Sequence, residues 1–587
     1  MAEYRRNESI RFVNPYNFIR LSNENYSIKR EKSDDVHISG VIKCKLITKT
    51  PLCIPDVEKK KEDQGVKNHF IYPFFSVGKK ENKEYIIPAS SLRGVIRSMH
   101  ETLTGSCFVT LPDEYNLTLR TTPMKPFFPG ILKKDNGEWK LYKAERKPIR
   151  LHHEVKNGER VFLQNKKTYH YGDFIKYNGL EGYLYIGEPF SRKKKEGIFV
   201  KKEQIETQKE QLKKSVQGLK QTIHLFYQNE SINRNLGNGW NNHLGYKGLE
   251  KALDSGCAPV WYKIENGHIY LSAAAIGRRT FETTVNDMLK KSGHNYNPCL
   301  KRSNACPSCQ LFGMAKGEAM GGRVRFSDAR MEKGNIKKNI TLKELGSPRT
   351  GYLPFYSENG MDYDESGAMI CGRKFYWHNS NAADSTEAYK ESGRKTNRNA
   401  TVDLFNAGSE FLFDVYFDNI TPAQLKELEW AITLGKDENL CHKIGHGKPL
   451  GLGSVKIQID KIQKRIKSSE KYEIINQDIE LDDTPEGFQK EVLEQIKLAC
   501  DFNAISENIA YPYVKLANNI SKTDVKPNAL ANHQWFSSNK GRKKNDIKMQ
   551  VLKPVGEEQV LYGYELVELN SRNNSQKRNP KKSNNHR

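Results

Sequence analysis

The sequence predicts an α+β protein of the ferredoxin-like kind, interrupted by a large β-rich insertion. Three observations lead there. Two strand–helix patterns stand far apart in the chain, one near residue 40 to 103 and one near 411 to 432. The second is closed by a further strand. Between the two lies a long block of short strand patterns, turns and a helix of its own.

Taken in order, residues 1–35 are polar without a clear period and read as an N-terminal arm. Residues 36–112 read as the first half of the core. Its strand lies at Val41–Thr48, where Ile42, Cys44 and Leu46 alternate with Lys43 and Lys45, and Pro51 ends it. The charged, aperiodic PDVEKKKEDQGVKNHF is a loop. In EYIIPASSLRGVIRSMHETL, Pro88 bars a helix just before it, and Ser90 or Ser91 can cap the start of one. Leu92, Val95, Ile96, Met99 and Leu103 then fall on an apolar face, with Arg93, Arg97 and His100 on a basic one. Free N–H groups at that serine-rich start suit a phosphate.

Residues 113–240 read as the insertion. WKLYKAERKPIRL, GYLYIGEPF and GIFVKK are short strands, followed by the helix IETQKEQLKKSVQGLKQTIHLF. Residues 241–345 hold a hairpin candidate, VWYKIENGHIYLSAAA, turning at Glu265–Gly267, and then a cysteine cluster. The Gly-, Asn- and Ser-rich stretch 346–400 reads as a long loop. In 401–465, Phe411, Phe413, Val415 and Phe417 alternate with Leu412, Asp414 and Tyr416. Thr421-Pro422 opens a helix whose core face is Leu425, Leu428 and Ile432. A last strand carries Val455, Ile457 and Ile459 inward. Residues 466–570 read as a helical, basic extension, with TPEGFQKEVLEQIKLAC as one helical piece, and 571–587 as a disordered basic tail.

Lys and Arg outnumber Asp and Glu by 95 to 70, and the net charge of +25 recurs in several segments rather than one tail. Such a field concentrates polyanions, of which nucleic acid is the commonest in the cytoplasm. No run of about 18 apolar residues is present, and no apolar core follows the basic N-terminus, so neither a membrane span nor a secretory signal is expected. The expected compartment is the cytoplasm. The cysteines fit it: Cys44, Cys53, Cys107, Cys257, Cys371, Cys441 and Cys500 stand singly, as buried thiols do, and only Cys299, Cys306 and Cys309 cluster.

That cluster, with His294, has the pattern H-x4-C-x6-C-x2-C. The Cys306–Cys309 pair around Pro307-Ser308 makes a knuckle whose sulfurs can share one tetrahedral ion. Three thiolates and an imidazole supply a closed structural zinc site, with Cys257 or another histidine as alternatives to His294. A redox pair would want a helix start in a βαβ unit, which the flanks do not offer.

Other segments suit a single-stranded ligand. In GHGKPLGLG, the glycines Gly445, Gly447, Gly451 and Gly453 let backbone N–H groups approach phosphates, while His446 and Lys448 add charge. A plain tight turn explains the same glycines. GRVRFSDAR places Arg323 and Arg325 beside Phe326, and ERKPIRLHH and SRKKKEGIF interleave basic and apolar residues.

Three of these motifs together resemble the RAMP superfamily of CRISPR-associated proteins. IPASSLRGVIR resembles its serine–glycine helix start, CPSCQLFG followed by GRVRFSDA its cysteine–LFG segment and next strand, and GHGKPLGLGSV its C-terminal glycine-rich loop. They occur in the family's order between about 87 and 455. The resemblance implies RRM-like, ferredoxin-type domains in a type III effector complex, and more narrowly the backbone-type subunits, which often carry a zinc knuckle. It implies guide RNA, complementary target RNA and other effector subunits as partners. On this reading Ser90, Ser91, Arg93, Arg97, Arg323, Arg325 and the glycine-loop residues contact RNA.

In family members that cut target RNA, an acidic residue precedes the serine–glycine helix. Here the matching stretch is Lys67-Asn68-His69-Phe70-Ile71, with Lys67 at the acidic position, which points to binding without cutting. Asp56 and Asp63, in the same loop, are the catalytic candidates; cleavage through them would need a divalent metal. Metal-free processing of a guide precursor would call on His69, His100 or His446. The reading from another class is a generic zinc-containing RNA-binding protein.

Overall fold

The computed structural model describes residues 2–23, 36–79, 82–111, 116–120, 126–149, 153–156, 159–186, 196–228, 243–292, 296–393, 395–467, 472–477, 484–518, 530–539 and 549–568. Two units emerge. One comprises Met1–Leu111, Ser292–Pro348 and Cys371–Arg587, the other Pro112–Lys291 and Arg349–Ile370.

The first unit is built on a nine-stranded sheet. Its central strands, Ile38–Thr48 and Glu410–Ile420, pair antiparallel with Cys44 opposite Phe413. Alternation sets their faces: Ile42, Cys44, Leu46, Phe411, Phe413, Val415 and Phe417 are buried, while Tyr416 and Leu412 look out. On one side Ser454–Lys467 pairs with Ile38–Thr48, bulging between Ile459 and Lys461. On the other, Ala329–Lys333 joins Glu410–Ile420 to Glu84–Ile87.

Helices Ala89–Leu103 and Pro422–Thr433 bury Leu92, Ile96, Leu425, Leu428 and Ile432 in the core that the sheet's inner face forms. The second helix starts as expected: Thr421 Oγ1 accepts from Gln424 N–H, and Gln424 Oε1 accepts from Thr421 N–H. Such a reciprocal cap contributes about 1 kcal/mol. The first helix starts differently. Pro88 is its N-cap, and neither Ser90 nor Ser91 caps it; the Asp328 carboxylate instead accepts from the Ala89 N–H at 2.8 Å.

The expected helical extension is a mixture of helices and strands. Beside helices Lys490–Cys500 and Asn532–Ser538 it carries strands Tyr472–Gln477, Val514–Leu516 and Val560–Glu568. Val560–Glu568 pairs antiparallel with Ala2–Val13, so much of the N-terminal arm is a strand of a three-stranded sheet. The partners lie at opposite ends of the chain, which no local pattern reports. Residues 571–587 lie outside the described residues. The stretch read as loop over 346–400 holds a strand, Arg373–Tyr376, paired with Tyr16–Ile19.

The second unit carries a seven-stranded antiparallel sheet, to which the expected hairpin supplies Cys257–Glu265 and His268–Ser272. Asn266 and Gly267 both take positive φ in its turn, as a two-residue hairpin needs. Helix Lys209–Gln228 buries Leu212, Val216, Leu219 and Ile223 in this unit's core. Arg279 pairs with Glu265 and Asp362 and lies 4.0 Å over the Tyr270 ring, tying Arg349–Ile370 to the unit. Among the described residues no helix is long and apolar enough to cross a membrane.

Candidate metal centre

Helix Ala89–Leu103 ends at Thr104, and the turn after it delivers Cys107 into the first unit's interior. About 190 residues later the chain returns with Cys299, Cys306 and Cys309. Cys306 is the N-cap of the short helix Pro307–Phe312, with proline at its first position, so Cys309 lies one turn further along. Ligand atoms of all four cysteines lie within 4.8 Å of one another. Cys107 Sγ is 3.6 Å from Cys309 Sγ and 3.7 Å from Cys306 Sγ. Four ligands at about 2.3 Å from one ion in tetrahedral array stand about 3.8 Å apart, close to the two Cys107 distances, so the four sulfurs are placed to share one ion.

Cys107 stood among the single buried thiols in the sequence reading; the structure makes it the fourth member. His294 lies outside the described residues. The alternative, Cys257, belongs to a strand of the second unit, where its thiol meets Tyr183. No local spacing marks Cys107, because what brings it to the others is the return of the chain.

The electrostatics favour a cation. Hydrogen bonds donated by the Cys107, Cys299 and Cys309 thiols hold Cys306 well below the usual thiol range. Cys107 and Cys309 are pushed up in turn, chiefly by thiol–thiol hydrogen bonds with Cys299 and with Cys107 respectively. Cys299 is held down too, chiefly by its hydrogen bond with Cys107, so two thiolates form readily and two resist, a conflict that a bound dication removes. Around the sulfurs, Arg97 Nη2 donates to Cys309 Sγ at 3.7 Å and the Cys306 N–H to Cys299 Sγ at 3.3 Å. Arg373, buried, donates to the carbonyls of Ser106 and Cys107 and to Glu101, and lies 4.0 Å over the Phe108 ring. Ser106 Oγ accepts from the Ser308 N–H at 3.1 Å, while Ser308 Oγ meets His100 Nδ1 at 2.6 Å. These contacts orient both cysteine segments.

The basic stripe of helix Ala89–Leu103 therefore faces inward. Arg93 Nη2 donates to the Phe312 carbonyl at 2.5 Å, Arg97 pairs with Glu101 at 2.8 Å, and His100 is fully buried against Ser308 and Glu427. Ser90 is exposed and Ser91 half-buried at the helix start. Arg323 donates to the Asn419 carbonyl, and Arg325 is exposed beside Tyr416 on the sheet's outer face. Ser191–Lys195 and Arg150–His152 of the other two basic segments lie outside the described residues.

The glycine loop is tightly packed. Gly445, Gly447, Gly451 and Gly453 all take positive φ, and a Cβ on Gly453 would stand 1.9 Å from the Ile444 carbonyl oxygen. Lys448 Nζ donates to the Gly445 carbonyl, and the buried Lys443 amine to those of Gly451 and Leu452. The glycines serve the turn's own geometry, and the exposed His446 stands at its tip. Asp56, 2% exposed, pairs with Lys59 at 3.0 Å. Asp63 pairs with Lys395 at 2.6 Å and accepts from the Gly65 and Val66 N–H groups. His69 is buried between the Thr396 carbonyl and the Thr401 hydroxyl.

No protein-family model matches the chain, and no curated protein does. Among solved structures, Csc2 of Thermofilum pendens aligns with 64% of this chain and 72% of its own, at 11% identity and a TM-score of 0.14. A superposition that loose carries no argument about fold or function.

Proposed function

We propose that this chain is a RAMP-type, RNA-binding subunit of a type III CRISPR effector complex, holding guide RNA and helping to recognise complementary target RNA. The observation that carries the reading is the convergence of the three resembling motifs in one unit. Arg93 of the first donates to the Phe312 carbonyl of the second, Asp328 of the following strand segment accepts from the Ala89 N–H, and the glycine loop leads into Ser454–Lys467 of the same sheet. Chance matches scattered over some 370 residues would have no reason to pack together. The net charge of +25 supports a polyanionic ligand, and the sheet with helices on its inner face supports RRM-like packing.

The metal is zinc, held by Cys107, Cys299, Cys306 and Cys309 in a structural role: four protein thiolates leave no position open for a reactive water. The partners are RNA and other effector subunits, in the cytoplasm. Binding without cutting is favoured by Lys67 at the acidic position and by the lysine partners of Asp56 and Asp63.

The test is to isolate the tagged protein from its native cells and sequence the RNA that survives a salt wash. One uniform species with repeat-derived ends supports the reading. A smear of cellular RNA reduces it to a general RNA-binding protein, and no RNA overturns it. Loss of target cutting in an Asp56→Ala, Asp63→Ala variant, with binding kept, would establish the endoribonuclease alternative.

A further inference from the structure

The outer face of the nine-stranded sheet carries a recess to which the second motif contributes Arg325 and to which the other two contribute nothing. Four strands contribute one cross-strand row, Arg325, Tyr416, Val41 and Gln463. Two residues along each strand, on the same face, lie Asp418, Ser39 and Arg465, with Ile474 beyond them. The same residues line one open recess, whose floor includes Gly40.

Tyr416 is 48% exposed in mid-sheet and Ile474 is 70% exposed, on a face over which no layer lies among the described residues. The Tyr416 hydroxyl donates to Asp414, which fixes the ring's outer end. The Arg325 guanidinium is exposed and makes no hydrogen bond or ion pair among the described residues; nor does the Lys461 amine, farther along the face. The acids nearby are engaged: Asp418 by the Ser39 hydroxyl and Arg465, Asp414 by Tyr416 and Lys43. What remains unpaired is cationic charge around a held aromatic ring.

We infer that this recess is a binding site for single-stranded RNA, with one base stacked on Tyr416 against the apolar wall of Ile474 and Val41, and the adjoining phosphate at Arg325. An aromatic ring for a base and unpaired cations for the backbone are what a sequence-tolerant single-strand site requires. A duplex, its bases already stacked, offers the ring nothing. The choice of RNA rests on the function proposed above; the site rests on the recess.

The test is fluorescence anisotropy with a fluorescein-labelled oligouridylate and the full-length protein. Tyr416→Ala is expected to weaken binding about tenfold to a hundredfold, and Tyr416→Phe to keep it. Arg325→Ala is expected to lower the slope of log affinity against log salt by about one. Ultraviolet crosslinking should place the RNA on the peptide that contains Tyr416, and thermal melts confirm that each variant folds. Wild-type binding unchanged by Tyr416→Ala, with the crosslink elsewhere, overturns the site and leaves the RNA reading intact. Absence of wild-type binding overturns both. Equal affinity for a duplex of the same sequence also overturns the stacking role.

Discussion

Replacing Cys107 by serine separates a four-thiolate centre from one built only on the local cysteine cluster. Cys107 is the one ligand that the chain supplies before its long excursion, and about 190 residues separate it from Cys299. Closing a loop of that length by a crosslink is worth about 5 kcal/mol in the chain-entropy relation. That is a ceiling, because pairing of Ile87 with Ala329 and the Arg93–Phe312 contact already close the excursion from outside. The share left to the metal is about 2–3 kcal/mol, or a fall of roughly 3 °C in Tm for a unit of this size. Loss of a direct ligand should also weaken metal binding by more than the roughly hundredfold that loss of an orienting group can cause. The assay is metal release to a chromogenic chelator, with melting followed with and without chelator. Cys371→Ser, which removes a buried thiol outside the cluster, and His294→Ala should both keep one metal per chain. A Cys107→Ser protein that retains one metal at wild-type affinity and an unchanged Tm would refute the four-cysteine centre.

Arg97→Ala removes the donor to Cys309 Sγ and leaves Glu101 with Arg373 alone, so metal affinity should fall about tenfold with all four cysteines intact, read by chelator competition. Burial pushes the Lys443 amine down to about 7, far below the ordinary lysine range, so the unfolded chain binds the extra proton between that pH and about 10. Stability should therefore rise with pH through that window, and Lys443→Met should flatten the rise in denaturant titrations. Gly453→Ala puts a methyl group against the Ile444 carbonyl at positive φ, and should cost about 1–3 kcal/mol in the same titrations. An alanine there without effect would mean that the loop's packing is not what its glycines serve.

Those perturbations divide along what short stretches can report. The strand Glu410–Ile420 and the helix Pro422–Thr433 were legible because burial repeats every second residue in one and every third or fourth in the other, and because Thr421, Pro422 and Gln424 form a cap within four residues. The Cys306–Cys309 knuckle was legible for the same reason, a fixed short spacing. The stripe of Arg93, Arg97 and His100 was visible as a stripe, yet its direction was not, since a basic face reads alike whether it meets a phosphate or a carbonyl, a carboxylate and a thiol.

By itself, then, the sequence determined the central strands of the large sheet and the two helices against it, the chain's excess positive charge, and three of the four cysteines. Only the tertiary structure decided that Cys107 completes the set, that Ala2–Val13 pairs with Val560–Glu568, and that Tyr416 and Arg325 stand together on an open face. The physical reason is the range of the interactions. Backbone periodicity and caps act within a few residues, while a shared metal or a strand pairing joins segments hundreds of residues apart, whose meeting depends on the packing of everything between them.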